Sequence, residues 1–193
     1  MAKAELLTQA AQHSVGIREG QRGIVLEIRQ ILAEIESCEE FVALVEQKLK
    51  QTLQHIPYSH LILSIKGIGV ITTAGLIGEV GDFRQFRSIS QLLKHAGLDL
   101  YEISSGKHNG QRHISKRGRA LLRKLLFFAA MRTVRAGGIM HEHYQRYLAN
   151  GMKKVMALVA VARKLLRIIF ALVRDQSAYQ ADYGKLPACG QAA

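Results

Sequence analysis

Two adjacent serines, Ser104 and Ser105, lie in a polar, glycine-bearing stretch (residues 101–118) with Lys107, Arg112, Lys116 and Arg117 around them. A hydroxyl ringed by cations has the parts of a phosphodiester nucleophile. The serine oxygen attacks phosphorus, the cations stabilise the added negative charge, and a phosphoserine link results. The same residue types also build an ordinary polar turn, and they leave both readings open. Between residues 101 and 135 nine basic side chains stand against one acid, Glu102. His108 and His113 flank the serines either as proton carriers or as solvated loop residues. His141 and His143, two positions apart with no cysteine nearby, do not have zinc-ligand spacing. The carboxylates Glu79, Asp82, Asp99 and Glu102 are too few for a two-metal nuclease, so no metal site is expected.

A second anion site is written into residues 61–77. Lys66, Gly67, Ile68 and Gly69 separate two apolar helical runs, which reads as helix, tight turn, helix. Gly67 and Gly69 are expected to take positive φ, and the turn brings free backbone amides beside Lys66, a cradle for a phosphate. Ile68 is expected to plug the two helices together, and Ala74 and Gly75 to let a helix approach closely. The pattern resembles a helix-hairpin-helix; a plain helical hairpin with a glycine turn is the alternative reading of the same residues.

The elements that must position these residues are helical. Only two prolines and no tryptophan occur in 193 residues, and the fold class expected is all-α. From residue 24 to 56 apolar residues alternate at spacings of four and three. Ile28, Ile35, Val42, Leu49 and Ile56 hold one seam; Ile24, Ile31, Cys38 and Val45 hold the other. A long coiled-coil helix is expected here, ended by Pro57. A helix through Leu92, Leu93 and Ala96 follows, with Asp82 as its expected cap and Glu79 pairing with Arg84 or Arg87. Ser115 is expected to cap a helix from about residue 116 to 135. Lys116 and Arg117 then fall in its first turn against the helix dipole, a misfit that a docked phosphate relieves. A last helix spans 152–174, with Lys153, Lys164, Arg167 and Arg174 on a side that faces nucleic acid or water.

Charge divides the chain. Residues 1–56 hold six basic and eight acidic side chains; residues 57–193 hold 21 basic and seven acidic, within a total of +12. The second part has the electrostatic footprint of a polyanion binder. The longest apolar run, 155–173, is broken by Arg163, Lys164 and Arg167, which excludes a membrane span. Two cysteines, Cys38 and Cys189, make no disulfide framework, and the cytoplasm is the expected compartment.

Several motifs occur in order: Ile65 to Ala74 around the glycine turn; Glu79-x-Gly-Asp82-x-x-x-Phe86; Ala96-Gly-Leu98; Ser104-Ser-Gly106; and Gly110-x-x-x-Ile-Ser-Lys-x-Gly118. Tyr144, Tyr147-Leu148, Gly151-Met-Lys-Lys154, Ala160 and Arg163-Lys-Leu-Leu166 follow. Together they resemble the C-terminal transposase domain of the insertion-sequence 110/116/902 family. The resemblance implies a DNA transposase or recombinase guided by a structured bridge RNA, whose C-terminal domain supplies a catalytic serine. The matching position is Ser105, with Ser104 in reserve. It also implies an N-terminal acidic resolvase-like half, which these residues do not contain. Mg is expected only for that half, with no cofactor in this part. DNA, a structured guide RNA, and a second copy of the chain in a homodimer or higher oligomer are the expected partners. The expected organisation is a helical linker and dimerisation segment (1–56), a helix-hairpin-helix domain with the serine loop (57–175), and a frayed tail (176–193). The competing function is a non-catalytic helix-hairpin-helix binding and dimerisation module.

Overall fold

A computed structural model describes residues 2–12, 21–102 and 112–180. The order is α1 (Ala2–Gln12), α2 (Gln21–Gln54), α3 (Ser59–Leu63), α4 (Val70–Val80), a 3-10 turn (Phe83–Gln85), α5 (Ile89–Ala96), β1 (Leu100–Glu102), β2 (Arg112–Ile114), α6 (Ala120–Thr133), α7 (His141–Ala149) and α8 (Lys154–Asp175). The protein is mostly helical, as its composition dictates, and the departure is the small antiparallel β1–β2 ladder. Strands of three residues are too short to show an alternating pattern, so a polar loop is all that the sequence displays there.

The chain forms two compact units, Met1–Val45 and Glu46–Ala193. In the first, α2 carries its seven-residue repeat as a stripe. Ile24, Ile28, Ile31, Ile35 and Val42 are each 48–54% exposed, so among the described residues none covers the seam.

In the second unit the last turns of α2 enter a core, with Leu53 buried and Ile56 packed against it. The helix ends three residues before Pro57, and Ser59 Oγ donates to the Leu53 carbonyl at 2.6 Å, tying α3 to the end of α2. The Tyr58 hydroxyl donates to the Gly81 carbonyl at 3.1 Å, and its ring meets Phe83 edge-on. α8 is the spine of this unit. Val161, Leu165, Leu166 and Ile169 are fully buried, and α3, α5, α6, α7 and the 3-10 turn all pack on it. Residues 177–179 return to the body: the Tyr179 amide donates to Ser64 Oγ at 2.8 Å and its ring packs against the core. Of the tail expected to fray from residue 176, Tyr179 meets the body; residues 181–193 lie outside the described residues.

The turn between α3 and α4 divides its two glycines. Gly67 has φ +101°, and a Cβ there would sit 3.1 Å from Thr133 Cγ2 at the end of α6. Gly69 is extended (φ −98°, ψ 179°) as the N-cap of α4, with open space around it. Only one of the two positions expected at positive φ takes it. Ile68 is buried between them as expected, and Gly75 lets Leu125 of α6 lie so close that a Cβ would meet its Cδ1 at 2.7 Å.

This contrast is measurable. Gly67→Ala is expected to lower unfolding stability by about 1–2 kcal/mol, the cost of a left-handed non-glycine residue. Gly69→Ala should cost less than about 1 kcal/mol, the weaker capping of alanine. Thermal unfolding of the two variants side by side tests this; equal losses would refute the assignment of the strain to Gly67.

Candidate nucleic-acid interface

The helix α4 starts without a side-chain cap, so its first amides are left for solvent or a ligand. Lys66 is exposed beside them. Among the described residues no carboxylate lies within ion-pair distance of Lys66. Uncapped amides and an exposed Lys66 thus lie at one turn, while Gly67 packs against the end of α6.

The serine-bearing segment is the connection between β1 and β2. Ser104, Ser105 and Lys107 lie outside the described residues, as does His108; Arg112 is placed in β2, its side chain undescribed. What the structure places is the base of that segment. Leu100 pairs with Ile114, Tyr101 with His113 and Glu102 with Arg112. Below the ladder the Ser115 amide donates to the Asp99 carbonyl at 2.9 Å, the Lys116 amide to Gly97 at 3.0 Å and the Arg119 amide to His95 at 3.0 Å. Ser115 Oγ also donates to Asp99 Oδ1 in a very short hydrogen bond. Both strands are thus clamped to the end of α5.

This clamp corrects the expected helix start. Ser115 caps no helix; α6 begins at Ala120, with Arg119 at its N-cap position and no side-chain cap. Ser115 instead pairs with Asp99, 16 residues earlier, its hydroxyl donating to the carboxylate and its amide to the carbonyl, which holds the chain in the ladder. Lys116 and Arg117 consequently lie before the helix, not in its first turn. Lys116 has φ +55°, a conformation that turns the chain between β2 and α6. Gly118 makes the turn possible, because a Cβ there would meet the Gly97 amide and the His95 carbonyl at 2.5 Å.

Arg117 opens onto a cavity of about 650 Å³ lined also by Lys94, His95, Glu79 and Arg119. Glu79 reaches Arg119 at 3.7 Å, and Asp82 takes a bidentate hydrogen bond from Arg84 and caps the 3-10 turn. Both differ from the sequence expectation, in which Glu79 paired with Arg84 or Arg87 and Asp82 capped α5; Ser88 caps α5 instead. The hydrogen bonds from Arg84 hold the Asp82 carboxyl below the usual carboxylate range. Arg123 bridges the region, donating to the Ala96 and Gly118 carbonyls at 3.1 and 3.0 Å. Sequence reasoning missed the Asp99–Ser115 clamp and the His95–Glu79–Arg119 wall, for which only the proximity in space gives a signal.

Among the described residues no three His, Cys, Asp or Glu side chains gather as a metal site requires, so no step is assigned to a metal held by them. No helix among the described residues is long and apolar enough to cross a membrane.

Residues 59–145 match the family described as Transposase IS116/IS110/IS902 family. The chain is similar to an insertion element IS110 uncharacterized 43.6 kDa protein of Streptomyces coelicolor, 30% identical over 70% of this chain and 34% of that protein. It is also similar to the transposase for insertion sequence element IS1111A of Coxiella burnetii, 29% identical over 91% of the chain and 48% of the relative. A pilin gene-inverting protein of Moraxella bovis is 32% identical over 60% and 36%. The chain thus spans between a third and a half of the length of these curated relatives.

The clamp yields a direct test. Ser115→Ala is expected to destabilise the unit by about 1.5–3 kcal/mol, the range for a hydrogen bond to a charged group. It should also speed amide hydrogen exchange in Leu100–Glu102 and Arg112–Ile114 ahead of the helical core. Unchanged exchange in those six residues would show that the ladder is held by something else.

Proposed function

The chain carries the domain of the transposase IS116/IS110/IS902 family, and from that premise we propose that residues 57–175 hold DNA by its phosphates and supply a serine for strand cleavage and transfer. The observation that carries the reading is the clamped β1–β2 ladder. A segment rich in serine, glycine and cations joins two strands whose roots are fixed at the end of α5 by three backbone hydrogen bonds and a serine–aspartate contact. A nucleophile must be presented reproducibly to a phosphorus atom, and a fixed root on a helical body does this better than a free loop.

In this reading Lys66 and the amides at Gly69 take one backbone phosphate, and Lys107, Arg112, Lys116 and Arg117 take the scissile one and its neighbour. Ser105 Oγ attacks phosphorus, with Ser104 as the reserve. Its proton passes to a base, the bond from phosphorus to the bridging deoxyribose oxygen breaks, and that oxygen leaves as a hydroxyl. The product is a phosphoserine ester that a second strand's hydroxyl resolves in reverse. Asp99 at the ladder's root and Glu79 at the cavity are engaged by Ser115 and Arg119. Glu102 of β1 is the carboxylate next to the serines in the sequence, and the acidic half and nucleic acid complete the site around it in an assembly. The proposal places that assembly in the cytoplasm, with a structured guide RNA and an Mg-dependent acidic half completing it.

Assembly rests on the α2 stripe. Apolar residues half exposed at heptad spacing are the seam of a coiled coil awaiting a partner helix, and a second copy of the chain is the proposed partner. Ile35→Asp with Val42→Asp should convert a dimer or larger species into monomer in light scattering, because each buried charge costs far more than the seam returns. A monomeric wild type at high concentration would refute this.

For the chemistry, a full-length assembly is incubated with a suicide DNA substrate and resolved by denaturing electrophoresis. A protein–DNA adduct is expected, and Ser105→Ala should abolish it while leaving DNA retention nearly unchanged. An adduct that survives Ser105→Ala and vanishes with Ser104→Ala moves the nucleophile by one residue. An adduct surviving both, or no adduct at all, leaves a non-catalytic binding and dimerisation module.

A further inference from the structure

The cations of α7 and α8 form a cluster that neither the serine segment nor the glycine turn uses. His143 sits at its centre. Lys164 Nζ lies 2.8 Å from His143 Nε2, and Arg146 NH2 lies 3.1 Å from His143 Nδ1. Burial, followed by the charges of Lys164 and Arg146, holds the imidazole below its ordinary pKa, against a smaller opposing pull from Glu142. The ring is therefore neutral near pH 7. A neutral imidazole has one acceptor nitrogen and one N–H. Lys164 Nζ also lies 3.2 Å from Nδ1, so two cationic donors crowd a ring that has one lone pair to offer. The ring alone cannot satisfy both.

The rest of the cluster sharpens the imbalance. Arg163, Lys164 and Arg167, with Tyr147 of α7, line a cavity of about 400 Å³ on one face of α8. Arg163 spends its Nε–H on the Leu98 carbonyl at 2.7 Å, and burial together with Arg167 lowers its pKa. Lys164 is likewise lowered, by burial and by Arg146. Among the described residues no carboxylate lies within 4 Å of Arg146, Arg163, Lys164 or Arg167. Arg146 and Lys164 repel each other across one imidazole, and Arg167 repels Arg163. They persist at a fold's surface at a cost that a bound anion would return.

The site has an address. Leu98, which accepts from Arg163, immediately precedes Asp99, the residue that clamps Ser115 and fixes the ladder's root. The cavity, through Arg163, therefore adjoins the base of the serine-bearing segment. An extended polyanion lying along that base reaches it, whereas a small free anion would gain nothing from the arm.

We propose that the α7–α8 cavity is a second phosphodiester site, in which Lys164, Arg146 and Arg167 grip the backbone of a nucleic-acid strand beside the base of the serine arm. The proposal rests on the reading of the unit as a nucleic-acid binder. The entering phosphate supplies the acceptor that His143 lacks, so Lys164 and Arg146 no longer compete for one lone pair. Arg163 stays on Leu98 and couples the site to the ladder.

The test uses Arg167→Gln with Arg146→Gln, two exposed side chains whose removal leaves the Arg163–Leu98 bond in place. Binding of a fluorescent duplex DNA and of a duplex RNA to the full chain is followed by anisotropy across salt concentrations, alongside Lys116→Glu with Arg117→Glu. Unchanged thermal unfolding of the double Gln variant establishes that its fold is intact. For at least one of the two probes, the Gln variant should lose roughly tenfold in affinity at moderate salt. Its log–log salt slope should become shallower by about one per phosphate contact removed. The probe that responds identifies the strand as DNA or RNA. A wild type that binds neither duplex overturns both the nucleic-acid reading and this site. A wild type that binds and weakens with Lys116→Glu and Arg117→Glu, while the Gln variant keeps its affinity and slope on both probes, overturns the second site alone. Lys164→Arg, which keeps the charge, should bind within about twofold of wild type; a loss as large as that of the Gln variant would mark a packing role and also overturn the proposal.

Discussion

Everything in the second unit depends on α8 being enclosed. A helix packed by α3, α5, α6, α7 and a 3-10 turn has few exits for polar side chains. Its sequence obeys that limit: Val161, Ala162, Leu165, Leu166, Ile169, Leu172 and Val173 fill the buried faces. The polar residues of its middle, Arg163, Lys164 and Arg167, are pressed into the one strip left over. Enclosure thereby concentrates charge. Positions 163, 164 and 167 fall on one side of the helix by their spacing, and enclosure of the other sides leaves them that strip. Here they share a groove, their stems pack against apolar neighbours, and their charges act together.

Enclosure of α8 also fixes the serine arm, through a short chain of backbone contacts. α5 packs on α8 and ends at Gly97 in the left-handed region. That turn delivers Leu98 to the core and its carbonyl to Arg163, then Asp99 to Ser115. The close approach of Gly118 to the His95 and Gly97 backbone completes the return to α6. The root of the arm is thus a knot of backbone between two buried helices. Its stability comes from their packing and not from the three-residue strands, which would not persist in isolation.

The sequence made legible whatever is local or periodic. The α2 repeat, the stop before Pro57, the helix–turn–helix around Ile68 and the enclosed apolar helix of residues 152–174 all follow from spacings within a few turns. What it hid is set by partners far along the chain. Ser115 has all the marks of an N-cap, and only the presence of Asp99 across a strand pair takes it away. Gly67 and Gly69 look equivalent, and only Thr133 at the end of α6 distinguishes them. The pairings of Glu79 with Arg119 and of Arg163 with Leu98 span 40 and 65 residues, beyond any pattern that spacing can carry. Of the candidate site, the cations were legible as a surplus of charge. Their division into separate groups was not, because it depends on which helix faces are covered.

That division bears on how such a unit handles a long polyanion. A single cationic patch binds phosphate wherever it lands and sets no direction for the strand. Two separate groups of cations near the root of the ladder favour placements in which the backbone passes that root. The glycine turn stands at the start of α4, where backbone amides are free, and the Lys116–Arg117 segment leads into the uncapped start of α6. The α8 groove stands mid-helix, where no amide is free and side chains alone can bind. The first kind of contact sets position with rigid donors, and the second adapts with long, mobile ones. A strand-transfer reaction requires both, since the scissile phosphate must be held still while the flanking backbone changes course.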